Sequence, residues 1–389
     1  MRRPRPSVAP DIAELLTLVR QGRLFAVESW LREGRRVRDP ANTHRQFSPL
    51  LAALKTGFHS LVELLLRPGG WSQEELDEAV GGAMSAARLD LVDLLLAQGA
   101  KVAGIDFADV CRTVDLAVME RYLRAGVDPA RDNAFARALH DIKARPLLGF
   151  YRQFCEEYPV LHAQASLALS EAVKEGKPRW VALLRWAGAD PFLEVPDRLY
   201  DANWDFSCRL GFCAADHACW AQTPELLKAL KLRPNPAEAQ QLLRSAALCA
   251  SPEIMRAVVR LLPAGSINAG ERNACEAVDP LLDDFGRYAA GQRDERMGRV
   301  AACLEILLDA GARWSPEPRW LGSIRRRLVS QPSRHLVRLI RLLLYTPGAA
   351  DRAQVLEVCR TPVIRQKLAD GDRALAKEME EMRLSGAGA

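Results

Sequence analysis

The sequence predicts an all-α protein built as a helix-turn-helix repeat solenoid and closed by a C-terminal helical cap. Three observations carry this prediction. A short apolar phrase recurs along the chain, each copy ends in a glycine, and the clearest copies are 30 residues apart. A period of this length with two helices per unit is typical of solenoids, in which each unit buries its apolar face against its neighbours.

The recurring phrase consists of an apolar pair, an apolar triplet and a closing glycine. Its two clearest copies are residues 61–69 (LVELLLRPG) and 91–99 (LVDLLLAQG). Looser or degenerate copies end at Gly34, Gly126, Gly188 and Gly311. From Gly34 through Gly69 and Gly99 to Gly126, the spacings are 35, 30 and 27 residues.

Each phrase fits one amphipathic helix, because apolar positions at i, i+1, i+4 and i+5 form a single buried stripe. The stripe predicts that the leucines at 64–66 and 94–96 are core residues, and it places Trp180 and Trp186 there as well. The trailing glycine suits the left-handed position that ends a helix. A second short apolar pattern precedes the phrase, as in residues 49–54 (PLLAAL), so each unit is predicted to contain two helices.

The repetition of this helix pair predicts a solenoid over residues 10–348, between a disordered basic N-terminus at 1–9 and a helical cap at 349–384. The tail at 385–389 is small and polar and is predicted to be disordered. The predicted units are 10–38, 47–70, 73–101, 106–129, 133–160, 164–191, 213–236, 238–266, 270–314 and 318–348. Two insertions interrupt them, an aromatic one at 192–212 and a charged one at 278–298.

Residues 48–57 (SPLLAALKTG) followed by 61–70 resemble the ankyrin repeat. They match its Thr-Pro-Leu-His-x-Ala opening with serine for threonine and leucine for histidine, its glycine between the helices, and its Leu-Val-x-Leu-Leu-Leu close. The resemblance is closest over residues 47–101. It implies a non-enzymatic scaffold or regulatory subunit that recognises a partner protein through a concave face and its loops.

Composition limits the class of protein. Apolar residues make up 49% and charged residues 26%, which excludes a disordered chain. The apolar runs are too short for a membrane span. Nine scattered cysteines indicate reduced thiols and a cytoplasmic location. The excess of arginine (45) over lysine (9) indicates a GC-rich bacterial genome and weakens any inference of nucleic-acid binding from arginine content.

The formal charge of +5 conceals two basic segments around an acidic middle. Residues 1–45 carry +5 and residues 315–345 carry +6, while residues 46–314 carry −6. An amphipathic pattern near the C-terminal end presents the cationic residues Arg325, Arg326, Arg327, Arg334, Arg338 and Arg341. They indicate a solvated face or a surface for an acidic partner protein. The alternative function is a nucleic-acid-associated subunit that uses basic patches at 2–45 and 319–341.

The insertion at 192–212 is rich in aromatic residues. It contains Phe192, Tyr200, Trp204, Phe206 and Phe212. Such residues either fold back onto the neighbouring units or anchor a partner, because aromatic side chains dominate interface hot spots.

No catalytic motif is evident, and the sequence predicts neither an enzyme nor a cofactor. The densest group of metal-ligand residue types is Cys208, Cys213, His217 and Cys219. Zinc prefers such donors, but the spacing matches no common zinc motif, and Cys219 would point away from the helix face shared by Cys213 and His217. Buried thiols are therefore the favoured interpretation, with zinc as the alternative.

Overall fold

The computed structural model describes residues 9–39, 45–196, 199, 212–263, 265–268 and 290–312. Within these ranges the chain forms 17 α-helices and no β-strand. The predicted all-α class is therefore confirmed. One isolated antiparallel bridge joins Val195 to Phe212.

The helices follow one another closely along the chain. The first ten are α1 (Pro10–Arg20), α2 (Leu24–Arg32), α3 (Pro49–Thr56), α4 (His59–Leu66), α5 (Gln73–Ser85), α6 (Leu89–Ala97), α7 (Phe107–Arg112), α8 (Leu116–Arg124), α9 (Ala134–Asp141) and α10 (Arg145–Phe154). The others are α11 (Val160–Lys174), α12 (Pro178–Ala187), α13 (Ala214–Trp220), α14 (Pro224–Leu230), α15 (Pro236–Cys249), α16 (Pro252–Leu261) and α17 (Ala290–Asp309). Short 3-10 turns occur at Arg45–Phe47, Val102–Gly104, Arg131–Asn133 and Ser266–Asn268.

Several helices begin at a polar residue followed by proline. The Ser48 hydroxyl accepts a hydrogen bond from the backbone N–H of Leu51 at 3.4 Å, and proline occupies the next position. At α15, Asn235 forms a reciprocal capping box with Glu238. The caps satisfy N–H groups that have no partner inside the helix, and proline suits the first helical position because its missing N–H costs nothing there.

A tight turn connects the two helices of each of the eight pairs from α1–α2 to α15–α16. One residue of each turn has a positive φ. Glycine occupies this position at Gly22, Gly57 and Gly176. Ala87, Val114, Lys143, Gln222 and Ala250 occupy it in the other five turns. Glycine adopts this conformation without strain, whereas a β-branched residue such as valine does not.

The chain forms two compact units. The first comprises Met1–Ala168 and Arg198–Cys208, and it contains α1–α10. The second comprises Leu169–Asp197 and Arg209–Ala389, and it contains α12–α17.

In the first unit, helices pack on the helix two places further along the chain. The first helices of successive pairs pack as α1 on α3, α3 on α5, α5 on α7 and α7 on α9. The second helices pack as α2 on α4, α4 on α6 and α8 on α10. The apolar phrase supplies the core here, with Leu61 and Leu65 of α4 and Leu95 of α6 buried. Aromatic rings fill the core further along, where Phe107, Phe135 and Phe150 lie within contact of one another.

The connection from α6 to α7 is a 3-10 turn held by polar groups of α5. The Asp77 carboxylate accepts a hydrogen bond from the Lys101 backbone N–H at 2.7 Å, and the Gln73 amide donates to the Gly99 carbonyl at 3.0 Å. Gly104 lies so close to α5 that a Cβ atom at Gly81 would be 2.6 Å from its carbonyl oxygen. These contacts provide hydrogen-bond partners for backbone groups of the connection, which contains no β-strand.

In the second unit, α12 packs on α14, α14 on α16, α13 on α15 and α16 on α17. Trp180 of α12 is buried, as predicted, with 6% of its surface exposed. The same prediction for Trp186 is wrong, because that side chain is 63% exposed. The two residues are six positions apart, which is about 240° around the helix axis, so they lie on different faces.

Some of the predicted segments lie outside the described residues. These are residues 1–8 of the basic N-terminus, residues 278–289 of the charged insertion, the unit at 318–348, the cap at 349–384 and the tail at 385–389. The second part of the charged insertion is helical, since α17 begins at Ala290.

Candidate partner-binding surface

Two of the five aromatic residues of the insertion, Phe192 and Phe212, lie in the described part of the chain. Phe192 is half-buried, and its backbone N–H donates to the Asp190 carboxylate at 2.9 Å. Phe212 pairs with Val195 through the isolated bridge. The other three predicted anchors, Tyr200, Trp204 and Phe206, lie outside the described residues.

Phe212 belongs to an aromatic cluster at the start of α13 in the second unit. Its ring packs edge-on against Trp220, with 4.5 Å between the centroids, and against His217 at 6.0 Å. The His217 and Trp220 rings are themselves 5.2 Å apart and perpendicular. Phe212 remains 41% exposed, so the cluster combines packing within the unit with an accessible ring. Edge-to-face contacts of this kind stabilise aromatic clusters.

Cys213, next to this cluster, takes part in a buried polar network centred on Asp216. The Cys213 backbone N–H and thiol both donate to the Asp216 carboxylate at 3.1 Å. From α15, the Gln241 amide donates to the same carboxylate at 3.1 Å, and the Ser245 hydroxyl also donates to it. Asp216 is buried, and these donors compensate for the loss of water around its charge. The network therefore joins α13 to α15.

Two of the candidate zinc ligands, Cys213 and Cys219, are buried cysteines. Burial raises the pKa of the Cys213 thiol, and the negative charge of Asp216 raises it further. Burial also raises the pKa of Cys219. No group of three ligand residues in the described ranges is placed to hold a metal, and Cys208 lies outside those ranges.

The predicted arginine surface lies wholly outside the described residues. It consists of Arg325, Arg326, Arg327, Arg334, Arg338 and Arg341. Those residues remain a prediction from the sequence.

The first unit presents a different set of exposed apolar residues, which sequence reasoning missed. Phe25 is 81% exposed and Phe58 is 58% exposed, and Val114 and Leu116 are exposed as well. All four lie in or beside the tight turn between the two helices of a pair. We call them the turn apolar residues. The feature of the sequence that could have identified them is their position. Each is an apolar residue within three positions of the positive-φ residue of a turn, and it lies outside the buried stripe of its helix.

Phe58 also borders a cleft between the C-terminal end of α1 and the length of α3. The cleft has a volume of about 420 Å³. Its lining residues are Arg20, Gln21, Gly22, Gln46, Ser48, Leu51, Ala52, Lys55, Thr56 and Phe58. We call this the α1–α3 cleft. Its volume lies within the range of about 300–1,000 Å³ that is usual for ligand sites.

Local structure positions the side chains around the cleft. Arg20 is the last residue of α1, and one of its guanidinium nitrogens lies 3.4 Å from the Gln46 carbonyl oxygen, to which it donates. The Thr56 hydroxyl donates to the Ala53 carbonyl at 2.7 Å and accepts from the Phe58 N–H at 3.3 Å, which orders the turn. The Phe58 ring lies against Gly22, where a Cβ atom would be 3.1 Å from its edge.

No protein-family model matches the sequence, and no curated protein matches it. No helix in the described ranges is long and apolar enough to cross a lipid bilayer.

Proposed function

We propose that the protein is a non-enzymatic binding module with ankyrin-like repeats, acting as a scaffold or regulatory subunit in a bacterial cytoplasm. Its partner is another protein, and recognition uses the inter-helix turns and first helices of the first unit. The packing of α1 on α3 on α5, beside α2 on α4 on α6, supports the repeat interpretation. Each pair in such an array buries its apolar face against the next pair.

The observation that carries the proposal is the position of the turn apolar residues. Of the five large apolar residues that are exposed in the described part of the first unit, only Val160 is not at an inter-helix turn. Isolated apolar residues on a surface are ordinary, but their concentration at the inter-helix turns is typical of an interaction surface. Burial of a phenylalanine side chain contributes about 1.5–3 kcal/mol to association, so Phe25 and Phe58 are suitable anchors.

The test is affinity capture from the native host by the full-length protein, with quantitative mass spectrometry. Phe25→Ser/Phe58→Ser removes two turn apolar residues, and Val160→Ser/Leu248→Ser removes two exposed apolar residues elsewhere as a matched control. We expect a defined set of host proteins to bind the wild type and the control and to be depleted on the Phe25→Ser/Phe58→Ser variant.

Two results would overturn the proposal. One is a set of captured proteins that is the same for all three forms, and the other is no protein enriched over empty resin. Nuclease treatment during capture tests the alternative function. If all captured proteins are released by nuclease, and retention falls steeply with salt, nucleic-acid association replaces protein recognition as the function.

A further inference from the structure

The α1–α3 cleft is cationic at its rim and contains no acidic residue. Arg20 and Lys55 supply positive charge, and the Gln21 and Gln46 amides add neutral polar groups. No aspartate or glutamate is among the residues that line it. Both cations are exposed, each in the last turn of its helix.

These two cations differ from their neighbours in the same unit. Arg35 pairs with Glu14 at 2.8 Å, and Arg36 pairs with Asp11 at 3.1 Å. Within the described residues, neither Arg20 nor Lys55 forms an ion pair with a carboxylate. A cation in the last turn is favoured by the helix dipole, which accounts for the presence of these residues but leaves most of their N–H donors available.

One wall of the cleft, formed by Leu51, Ala52 and Phe58, is apolar. Leu51 and Ala52 of α3 are half-buried, and Phe58 stands exposed at the edge of the cleft against Gly22. An apolar group placed on this wall would bury surface that is now in water. The cleft therefore offers two kinds of contact side by side, a pair of cations and an apolar wall.

We propose that the α1–α3 cleft binds a peptide segment of the partner in which an aspartate or glutamate adjoins a large apolar residue. The carboxylate accepts hydrogen bonds from Arg20 and Lys55, and the apolar side chain packs on Phe58 and Leu51. This inference rests on the proposed function and specifies its partner. Charge complementarity selects the acidic residue, because a carboxylate is the side-chain group that accepts from both cations at once.

A peptide fits the cleft better than a nucleic acid does. Strand-binding surfaces repeat cations and aromatic platforms along the backbone, since each phosphate carries a charge. Here two cations line one cleft of about 420 Å³ with a single aromatic wall. That arrangement suits one carboxylate and one apolar side chain.

The experiment is selection of a displayed library of random twelve-residue peptides on the full-length protein. Binding of the enriched peptides is then measured by fluorescence anisotropy. Arg20→Gln/Lys55→Gln removes both cations while keeping most of the side-chain length, and Phe58→Ala removes the apolar wall. The control variant Arg32→Gln/Arg67→Gln removes the same net charge at exposed positions away from the cleft. Circular dichroism verifies that all variants are folded.

We expect the selected peptides to be enriched in an acidic residue beside leucine or an aromatic residue. The cation variant should weaken their binding by about tenfold or more, because hydrogen bonds to charged groups are lost. Phe58→Ala should weaken it by about tenfold, and the control should bind as the wild type does.

The inference is overturned if no peptide is enriched, if the enriched peptides lack acidic residues, or if the cation variant binds them normally. It is also overturned if oligo(dT) competes with the selected peptides and depends on the same two cations, since the cleft would then be a nucleic-acid site. Host proteins that remain dependent on Phe25 and Phe58 in the capture experiment would show that only this inference has failed. If neither the peptide binding nor the capture of host proteins through Phe25 and Phe58 is observed, the proposed function is refuted as well.

Discussion

Gly81 and Gly82 are adjacent residues of α5, yet the structure predicts that alanine has a different effect at each. A Cβ atom at Gly81 would lie 2.6 Å from the carbonyl oxygen of Gly104, whereas a Cβ atom at Gly82 would meet no atom within 4 Å. Both residues are inside the helix, so alanine gains the same intrinsic helix propensity at either position. The contact with Gly104 is therefore the difference between the two variants.

The magnitude follows from two opposing contributions to the free energy of unfolding. Alanine in place of glycine inside a helix gains about 1 kcal/mol, so we expect Gly82→Ala to stabilise the protein by up to that amount. At Gly81 the backbone of the 3-10 turn must move to admit the methyl group, and overpacking of this kind costs about 1–3 kcal/mol. Gly81→Ala should therefore be between neutral and about 2 kcal/mol destabilising.

The assay is urea unfolding of the full-length protein, followed by far-UV circular dichroism. Gly82→Ala serves as the matched control, because both variants gain the same helix propensity. The difference between their free energies of unfolding therefore gives the cost of the contact with Gly104, which we expect to be about 1–3 kcal/mol. The comparison requires that the free energy of unfolding depends on urea concentration with the same slope in both variants. Equal stabilisation by the two substitutions would show that Gly104 does not pack against α5 and would refute this account of the α6–α7 connection.

Three further predictions concern the turns and the core. Val114→Gly should stabilise the protein by about 1 kcal/mol in urea unfolding, because Val114 has a φ of 54° that strains a β-branched residue. A lower urea midpoint for the variant than for the wild type would contradict this prediction. Leu65→Ala should destabilise it by about 2–5 kcal/mol, since the side chain is fully buried, and an unchanged midpoint would place Leu65 outside the core. The Arg88 guanidinium, hydrogen-bonded to Asp90, lowers the pKa of that carboxyl from 3.8 to about 2. The stabilisation from the ionised carboxylate is present above pH 3.8 and is lost as the pH falls through 2. The difference in Tm between wild type and Asp90→Asn should therefore shrink between pH 3.8 and pH 2. A difference in Tm that does not depend on pH would refute this prediction.

The helices were predictable where local chemistry alone favours them. Ser48 and Pro49 mark the start of α3 by capping and by a preset φ, and Gly57 permits the left-handed turn that follows. The turns at Ala87 and Val114 have the same conformation without glycine. No local signal distinguishes them, because the packing of the flanking helices imposes a backbone that these residues would avoid in isolation.

The candidate surface was less predictable, because exposure depends on contacts between elements that are distant in sequence. The sequence pointed to Phe212 through the density of aromatic residues, and the structure shows a ring that is partly packed against His217 and Trp220. Phe58 has no such signal, since a phenylalanine beside a helix is ordinarily a core residue. Its exposure follows from its place at the turn, where its ring lies against Gly22 and 58% of its surface remains exposed.

The sequence by itself determined the all-α class and the buried stripe of α4 and α6, because the period of apolar residues dictates which face of a helix avoids water. Only the tertiary structure decided the chemistry of the polar and exposed groups. It made the Cys213 thiol a donor to buried Asp216, and it brought Arg20 of α1 and Lys55 of α3 to one cleft. Periodicity describes one helix at a time, whereas a cleft or a buried carboxylate is defined by the helices that pack around it.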